Sequence, residues 1–218
     1  MAKRFELIVF DWDGTLLDSA GAIVASIVAA CRDLGVEPPS EERARHIIGL
    51  GLVDALRTAL PDLHPDRYGD LAERYRHHYL AQDHELALFA GSLALIRTLV
   101  ERGHMLAVAT GKSRKGLDRA LATSGLGAYF VATRCADECF SKPHPQMLEE
   151  LMASCLVVPG RTLMIGDTTH DLQMARNAGV AALAVTYGAH PREGLEVEQP
   201  LHCADNVAEL DAWLRRNA

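Results

Sequence analysis

Two carboxylates, Asp11 and Asp13, flank Trp12 in Asp11-Trp12-Asp13-Gly14-Thr15, directly after the run Glu6-Leu7-Ile8-Val9-Phe10. The run reads as a buried strand, so both carboxylates fall at its C-terminal end, just before a glycine turn. Ligands of open α/β sheets bind at that edge. A carboxylate pair there supplies a nucleophile, a metal ligand and an acid/base within a few residues of chain. The bland alternative is a pair of turn-capping aspartates, with Gly14 present for its backbone freedom.

Three further chemical signals occur at later strand ends. Thr110-Gly111-Lys112-Ser113 offers a hydroxyl and free backbone N–H groups where a helix opens, which suits a phosphate; a simple helix cap is the competing reading. Lys112, Arg114 and Lys115 add positive charge there, or form a solvated face. Lys142, in Ser141-Lys142-Pro143-His144-Pro145, stands on a backbone stiffened by two prolines and can present its ammonium to an anion. Gly166-Asp167-Thr168-Thr169-His170-Asp171 adds two more carboxylates, suited to a hard cation such as Mg²⁺. His170 reads as a neighbour of that site or a solvent-facing residue, because hard cations prefer oxygen. Each bland reading is reasonable alone, but four of them at successive strand ends are not.

The elements that must position these residues follow from the pattern. Short apolar runs at Met105–Ala109, Tyr129–Thr133, Thr162–Gly166 and Ala181–Val185 lack polar alternation, as strands covered on both faces should. Helical spacing separates them: Leu117, Leu121 and Ser124 up to Gly125; Met147, Leu148, Leu151, Met152 and Cys155, with Pro145 placed like a proline at the first helical position; Leu172, Ala175 and Ala178 up to Gly179. The alternation predicts an α/β fold with a doubly wound, mostly parallel, Rossmann-like sheet. The stretch between the first two strands reads as helix throughout, with Ile23, Ile27, Ala30, Cys31 and Leu34, then Leu52, Leu56 and Leu60, then Leu71, Tyr75 and Tyr79 at helical spacing. One crossover needs one helix. The excess predicts an inserted helical domain at residues 18–83, with 1–17 and 84–218 forming the core and the return helix starting near Ser92.

The chain has 218 residues, 49% of them hydrophobic, enough for one large domain with an insert. Its 22 Lys and Arg against 29 Asp and Glu give a net charge of −7, which does not favour nucleic acid or anionic lipid. The apolar run behind Met1-Ala2-Lys3-Arg4 is too short for a signal peptide, and no stretch approaches the ~20 apolar residues of a membrane span. Five scattered cysteines without CxxC pairing fit reduced thiols in a cytoplasmic setting. Cys135 and Cys139 lack the nearby ligands of a zinc site.

The constellation resembles the haloacid dehalogenase (HAD) superfamily of phosphohydrolases. Asp11 to Ser19 matches its first motif, Thr110 its second, Lys142 its third, and Gly166-Asp167 with Asp171 its acidic fourth. The helical insert resembles the C1 cap of the phosphoglycolate phosphatase-like branch. Trp12 replaces the commoner Phe, and Gly111-Lys112 stands where relatives often carry Asn-Lys. The resemblance implies that Asp11 attacks phosphorus to give an aspartyl-phosphate, while Asp13 protonates the leaving alcohol and then activates water. It implies Mg²⁺ held by Asp11, the Asp13 carbonyl and Asp167, with Asp171 in support, and phosphate oxygens met by Thr110, Gly111 and Lys142. For acid work Asp13 must hold a proton, which crowded carboxylates favour. Asp13 argues against a dehalogenase, which lacks this second carboxylate. A sugar phosphomutase and, from another class, a non-catalytic binding or phospho-aspartate signalling module remain alternatives. The expected substrate is a small phosphorylated metabolite, phosphoglycolate by analogy with the branch, with Gly49-Leu50-Gly51 and Arg45 as the insert's candidate contacts. Nothing in the sequence fixes the oligomeric state.

Overall fold

The structure is a computed structural model that describes residues 3–218; Met1 and Ala2, the start of the segment weighed as a leader, lie outside the described residues. Six parallel strands form one sheet: β1 (Leu7–Phe10), β2 (Met105–Thr110), β3 (Ala132–Cys135), β4 (Thr162–Gly166), β5 (Ala181–Val185) and β6 (Cys203–Ala204), in the order β3-β2-β1-β4-β5-β6. This is the doubly wound α/β architecture that the alternating runs predict. The period of two along β1 sorts its side chains between the two faces. Ile8 and Phe10 join the cluster of Leu106, Ile165 and Trp213, whereas Leu7 and Val9 join Met147, Leu151 and Met174 on the other face.

β1 pairs β2 on one flank and β4 on the other. The chain winds outward in opposite directions from that junction, so the carboxyl ends of β1 and β4 open a crevice between diverging connections. Asp11 follows β1, Thr110 ends β2, and Asp167 follows β4. The order of pairing thus brings distant parts of the chain to one edge.

Two expectations need correction. The third strand does not begin at Tyr129: residues Gly127–Tyr129 form a 3₁₀ turn, with the Tyr129 N–H donating to Leu126, and β3 starts at Ala132 opposite Ala107. The short edge strand β6 escapes the pattern because two residues carry no periodicity. Pro145 sits just before the helix Gln146–Cys155 rather than at its first position.

Between β1 and β2 lie α1 (Ala20–Asp33), α2 (Glu41–His46), α3 (Leu52–Ala59) and α4 (Arg67–Gln82), then α5 (Ser92–Glu101), which packs on the sheet. Ser40 caps α2 by accepting from the Arg43 N–H at 3.2 Å, and Gly35 takes φ 62° after α1. Ile27, Leu56 and Leu71 of α1, α3 and α4 build a separate apolar cluster, which among the described residues takes in only Ala189 from the far end of the chain. The entry and exit strands of this layer run side by side: Leu17 bridges Leu88, and the Asp18 N–H donates to the Ala87 carbonyl at 3.0 Å. The remaining helices are α6 (Arg114–Ser124), α7 (Gln146–Cys155), α8 (Thr169–Asn177), α9 (Arg192–Val197) and α10 (Val207–Asn217). No helix among the described residues is long and apolar enough to cross a membrane.

Candidate active site

The sheet edge gathers an almost dry charged cluster. Asp11, Asp167 and Asp171 have no exposed surface, and Lys142 has only 2%. Carboxylate oxygens of the three aspartates lie within 4.8 Å of one another. Lys142 Nζ bridges two of them, 2.8 Å from Asp11 Oδ1 and 2.6 Å from Asp171 Oδ1. Burial by itself would lower the Lys142 ammonium, but Asp11 and Asp171 reverse that and hold it above its ordinary range. Burial raises Asp11 well above the usual carboxylate range, with Asp171 and Asp167 adding to it and Lys142 opposing. Burial likewise pushes Asp167 up to about 7.

Local chain chemistry fixes each member. Asp171 closes a capping box on α8: its Oδ2 accepts from the Thr168 hydroxyl at 2.6 Å and the Thr168 N–H at 3.2 Å, leaving Oδ1 for Lys142. Asp167 accepts from the Thr15 hydroxyl at 2.9 Å and the Ala189 N–H at 2.7 Å. Gly14, at φ 79°, is packed against the Asp167 carboxylate, where a Cβ would collide with it. Asp11 Oδ2 is buried with no hydrogen-bond partner among the described residues. One orphaned carboxylate oxygen amid three crowded carboxylates is an oxygen-donor set that fits a hard divalent cation, because the cation removes the repulsion that burial intensifies.

Asp13 stands apart from this crowd, at 7% exposure. Its Oδ1 accepts from the Ser19 hydroxyl at 2.6 Å and lies 3.0 Å from Lys112 Nζ. The carboxylates that crowd one another are therefore Asp11, Asp167 and Asp171, and the expected crowding of Asp13 is not what the structure shows. Lys112 is no solvated residue: it also donates to the Tyr79 hydroxyl of α4 at 2.9 Å and lies over that ring. The Thr110 hydroxyl is fully buried and receives the Lys112 N–H at 3.2 Å.

The helical layer closes over this edge. At Gly111 a Cβ would come within 2.5 Å of the Leu50 carbonyl and 2.6 Å of that of Gly49, so only glycine allows the approach. The Gly51 N–H donates to Ser141 Oγ at 2.8 Å. Gly49, Leu50 and Gly51 line a cavity that also reaches Asp11 and Asp13. Arg45 does not line it: it is paired with Glu41 at 3.0 Å, one turn back on α2.

Sequence reasoning missed a second clamp. His170 Nε2 and His190 Nε2 lie 2.7 and 3.0 Å from the His46 carbonyl oxygen at the end of α2. A carbonyl only accepts, so both rings carry a proton there. His190 Nδ1 accepts the Thr169 N–H at 3.1 Å, and the His46 ring stacks on that of His190. Burial lowers His170, and lowers His190 to about 4, which keeps the rings neutral. His170 is thus buried at the joint between layers. The only signal in the chain was its place beside Asp171.

Comparison with known proteins agrees with this geometry. A family model described as Haloacid dehalogenase-like hydrolase matches residues 8–185. A protein of Dickeya dadantii (strain 3937) named "Probable phosphatase IndB" is 36% identical over 94% of this chain and 91% of its own length. A protein of Vibrio vulnificus (strain YJ016) named phosphoglycolate phosphatase is 30% identical, covering 95% of each chain. The crystal structure of a predicted phosphoglycolate phosphatase from Haemophilus somnus 129PT superposes with a TM-score of 0.84 at 26% identity, over 96% of this chain and 98% of that one.

Proposed function

The chain belongs to the haloacid dehalogenase-like hydrolase family, and from that premise we propose that it is a Mg²⁺-dependent phosphatase that hydrolyses a small phosphate monoester through an aspartyl-phosphate. The observation that carries this reading is Asp11: a fully buried carboxylate with one oxygen on Lys142 and the other without a partner among the described residues, at the switch point of the sheet. A buried anion cannot attack an anionic ester unless neighbouring charge offsets their repulsion. Lys142 supplies a positive charge there, held in place by Asp171. Mg²⁺ held by Asp11 and Asp167, with the Asp13 carbonyl completing the protein's share and Asp171 in support, supplies the remaining charge when bound.

Asp11 then attacks phosphorus as the bond to the leaving alcohol breaks, and Asp13 delivers a proton to that alcohol's oxygen. Ser19 and Lys112 occupy one oxygen of Asp13 and leave the other for this exchange. In the second half Asp13 takes a proton from water, whose oxygen attacks phosphorus and releases Asp11. Thr110, the Gly111 N–H and Lys142 meet the equatorial phosphate oxygens. Residues 18–83 act as a cap that excludes bulk water, with Gly49–Gly51 forming the lip over Gly111.

Phosphoglycolate, the substrate in the relatives' names, is one member of the panel that tests this. Phosphate release from a panel of monoesters is expected to require Mg²⁺, and Asp11→Asn is expected to lower it on the order of 10⁴-fold or more with the fold intact. A folded Asp11→Asn protein with near wild-type release would remove Asp11 as nucleophile. Isomerisation of a sugar phosphate without release would make the chain a mutase.

A further inference from the structure

The cavity above Asp11 and Asp13 constrains the leaving group. It has a volume of about 480 Å³ and runs up from the two aspartates between α1, α3 and α4. Its helical walls are mostly apolar, with Ile23 and Ile27 of α1, Ile48 after α2, Leu56 of α3, and Tyr75 with Tyr79 of α4, while Asp54 of α3 and Arg76 of α4 are exposed. Cavities of roughly 300–1,000 Å³ enclose drug-sized ligands, and a phosphate bearing a two-carbon acid leaves much of this one unfilled.

Charge points the same way. A short acidic leaving group needs a second cation close to the phosphate. Of the cations that line the cavity, Lys112 is already paired with Asp13 and Arg119 with Asp83, the latter at 2.7 Å. Arg76 and Lys115 are exposed. Arg45 lies outside it. A carboxylate placed against the isoleucine wall would lose its hydration with no unpaired buried cation in return, whereas an apolar body there gains by leaving water. Tyr75 adds a stacked ring beside Tyr79, 5.8 Å between centroids.

We propose that this cavity is a leaving-group subsite for the apolar body of an alkyl or aryl alcohol, and that it selects phosphate monoesters of such alcohols over those of short hydroxy acids. The proposal rests on the reading of the Asp11 edge as the phosphate site. Phosphonates test it without turnover, because their carbon–phosphorus bond is not hydrolysed. Titration calorimetry on the full chain with Mg²⁺ compares methyl-, butyl- and hexylphosphonate with phosphonoacetate. Kd is expected to fall about fourfold per added methylene until the wall is covered, with phosphonoacetate binding no tighter than methylphosphonate. A Kd independent of chain length, or phosphonoacetate as the tightest ligand, overturns the subsite. Phosphate release from butyl phosphate, measured alongside, separates the two readings. Release with no chain-length trend removes the subsite and leaves the phosphatase. A chain-length trend with no release from any ester keeps the subsite and removes the phosphatase.

Discussion

The floor and the roof of one cleft are built on opposite principles. The floor, at the carboxyl ends of β1, β2 and β4, is a set of buried charges in which Lys142 balances Asp11 and Asp171. The roof, from α1 to α4, presents isoleucine, leucine and tyrosine to the same space. It meets the floor through few polar contacts: Gly51 on Ser141, Lys112 on Tyr79, and His46 under His170 and His190. Charge in a dry site fixes chemistry, because each group there is strongly coupled to its neighbours. Apolar surface fixes size and shape, and loosely held surface can move. Under the proposed function, the difference assigns reaction type to the floor and choice of alcohol to the roof.

That contrast can be broken most forcefully at Lys142. Lys142→Met leaves Asp11 and Asp171 buried without their cation, and a loss of about 3–5 kcal/mol is expected in urea unfolding. Unchanged stability would mean that the floor is not held by charge. A smaller effect is expected at the joint. His190→Phe leaves the Thr169 N–H without its acceptor and the His46 carbonyl with one donor, at a cost of about 1–3 kcal/mol. Hydrogen exchange should then quicken around residues 46–51 while β1 and β4 stay protected. Equal quickening in the strands would mean that floor and roof open as one unit.

The smallest effect concerns pH. Asp11 and Asp167 have folded values raised above their unfolded ones, so their contribution is fully present below about pH 4 and is lost as pH rises through the folded value, about 7 for Asp167. His190 works the other way: its folded value, lowered to about 4, adds stability above about pH 6.5, lost as pH falls. Between pH 6.5 and 7.5 the carboxylates remain. Metal-free protein is expected to lose stability over that interval through Asp167, by up to about 1.4 kcal/mol per pH unit. Mg²⁺ should flatten the profile, since a bound cation replaces the proton. A metal-free profile that rises with pH would contradict the buried repulsion assigned to the floor.

Much of the floor was legible in the chain because most of its residues sit at the end of an apolar run, and such runs predict strands from local pattern alone. Asp11, Thr110 and Asp167 stand at such ends, whereas Lys142 lies in the loop beyond β3 and was marked by the prolines that follow it. Asp171 was legible as a second carboxylate close to Asp167, though not as the group that holds Lys142. Thr15 and the Ala189 N–H, which grip Asp167, were not legible, because nothing local marks a donor whose acceptor is more than a hundred residues away or on another loop. The start of β3 was misplaced because Tyr129 and Phe130 suit a strand by composition, while the turn at Gly127 takes Tyr129 out of it. Arg45, expected as a contact, is paired with Glu41 one turn back on α2 and does not line the cavity.

The sequence by itself determined the kinds of group at the sheet edge and the layering of strand and helix, since both are written in local periodicity and in turn residues. Only the tertiary structure decided which groups meet. Strand order placed β4 beside β1 and so set Asp167 against Asp11. The close approach at Gly111 set the roof on the floor. The packing of α1, α3 and α4 made the space above the aspartates apolar, because a side chain's face on a helix is periodic, but what that face encloses depends on where the next helix lies.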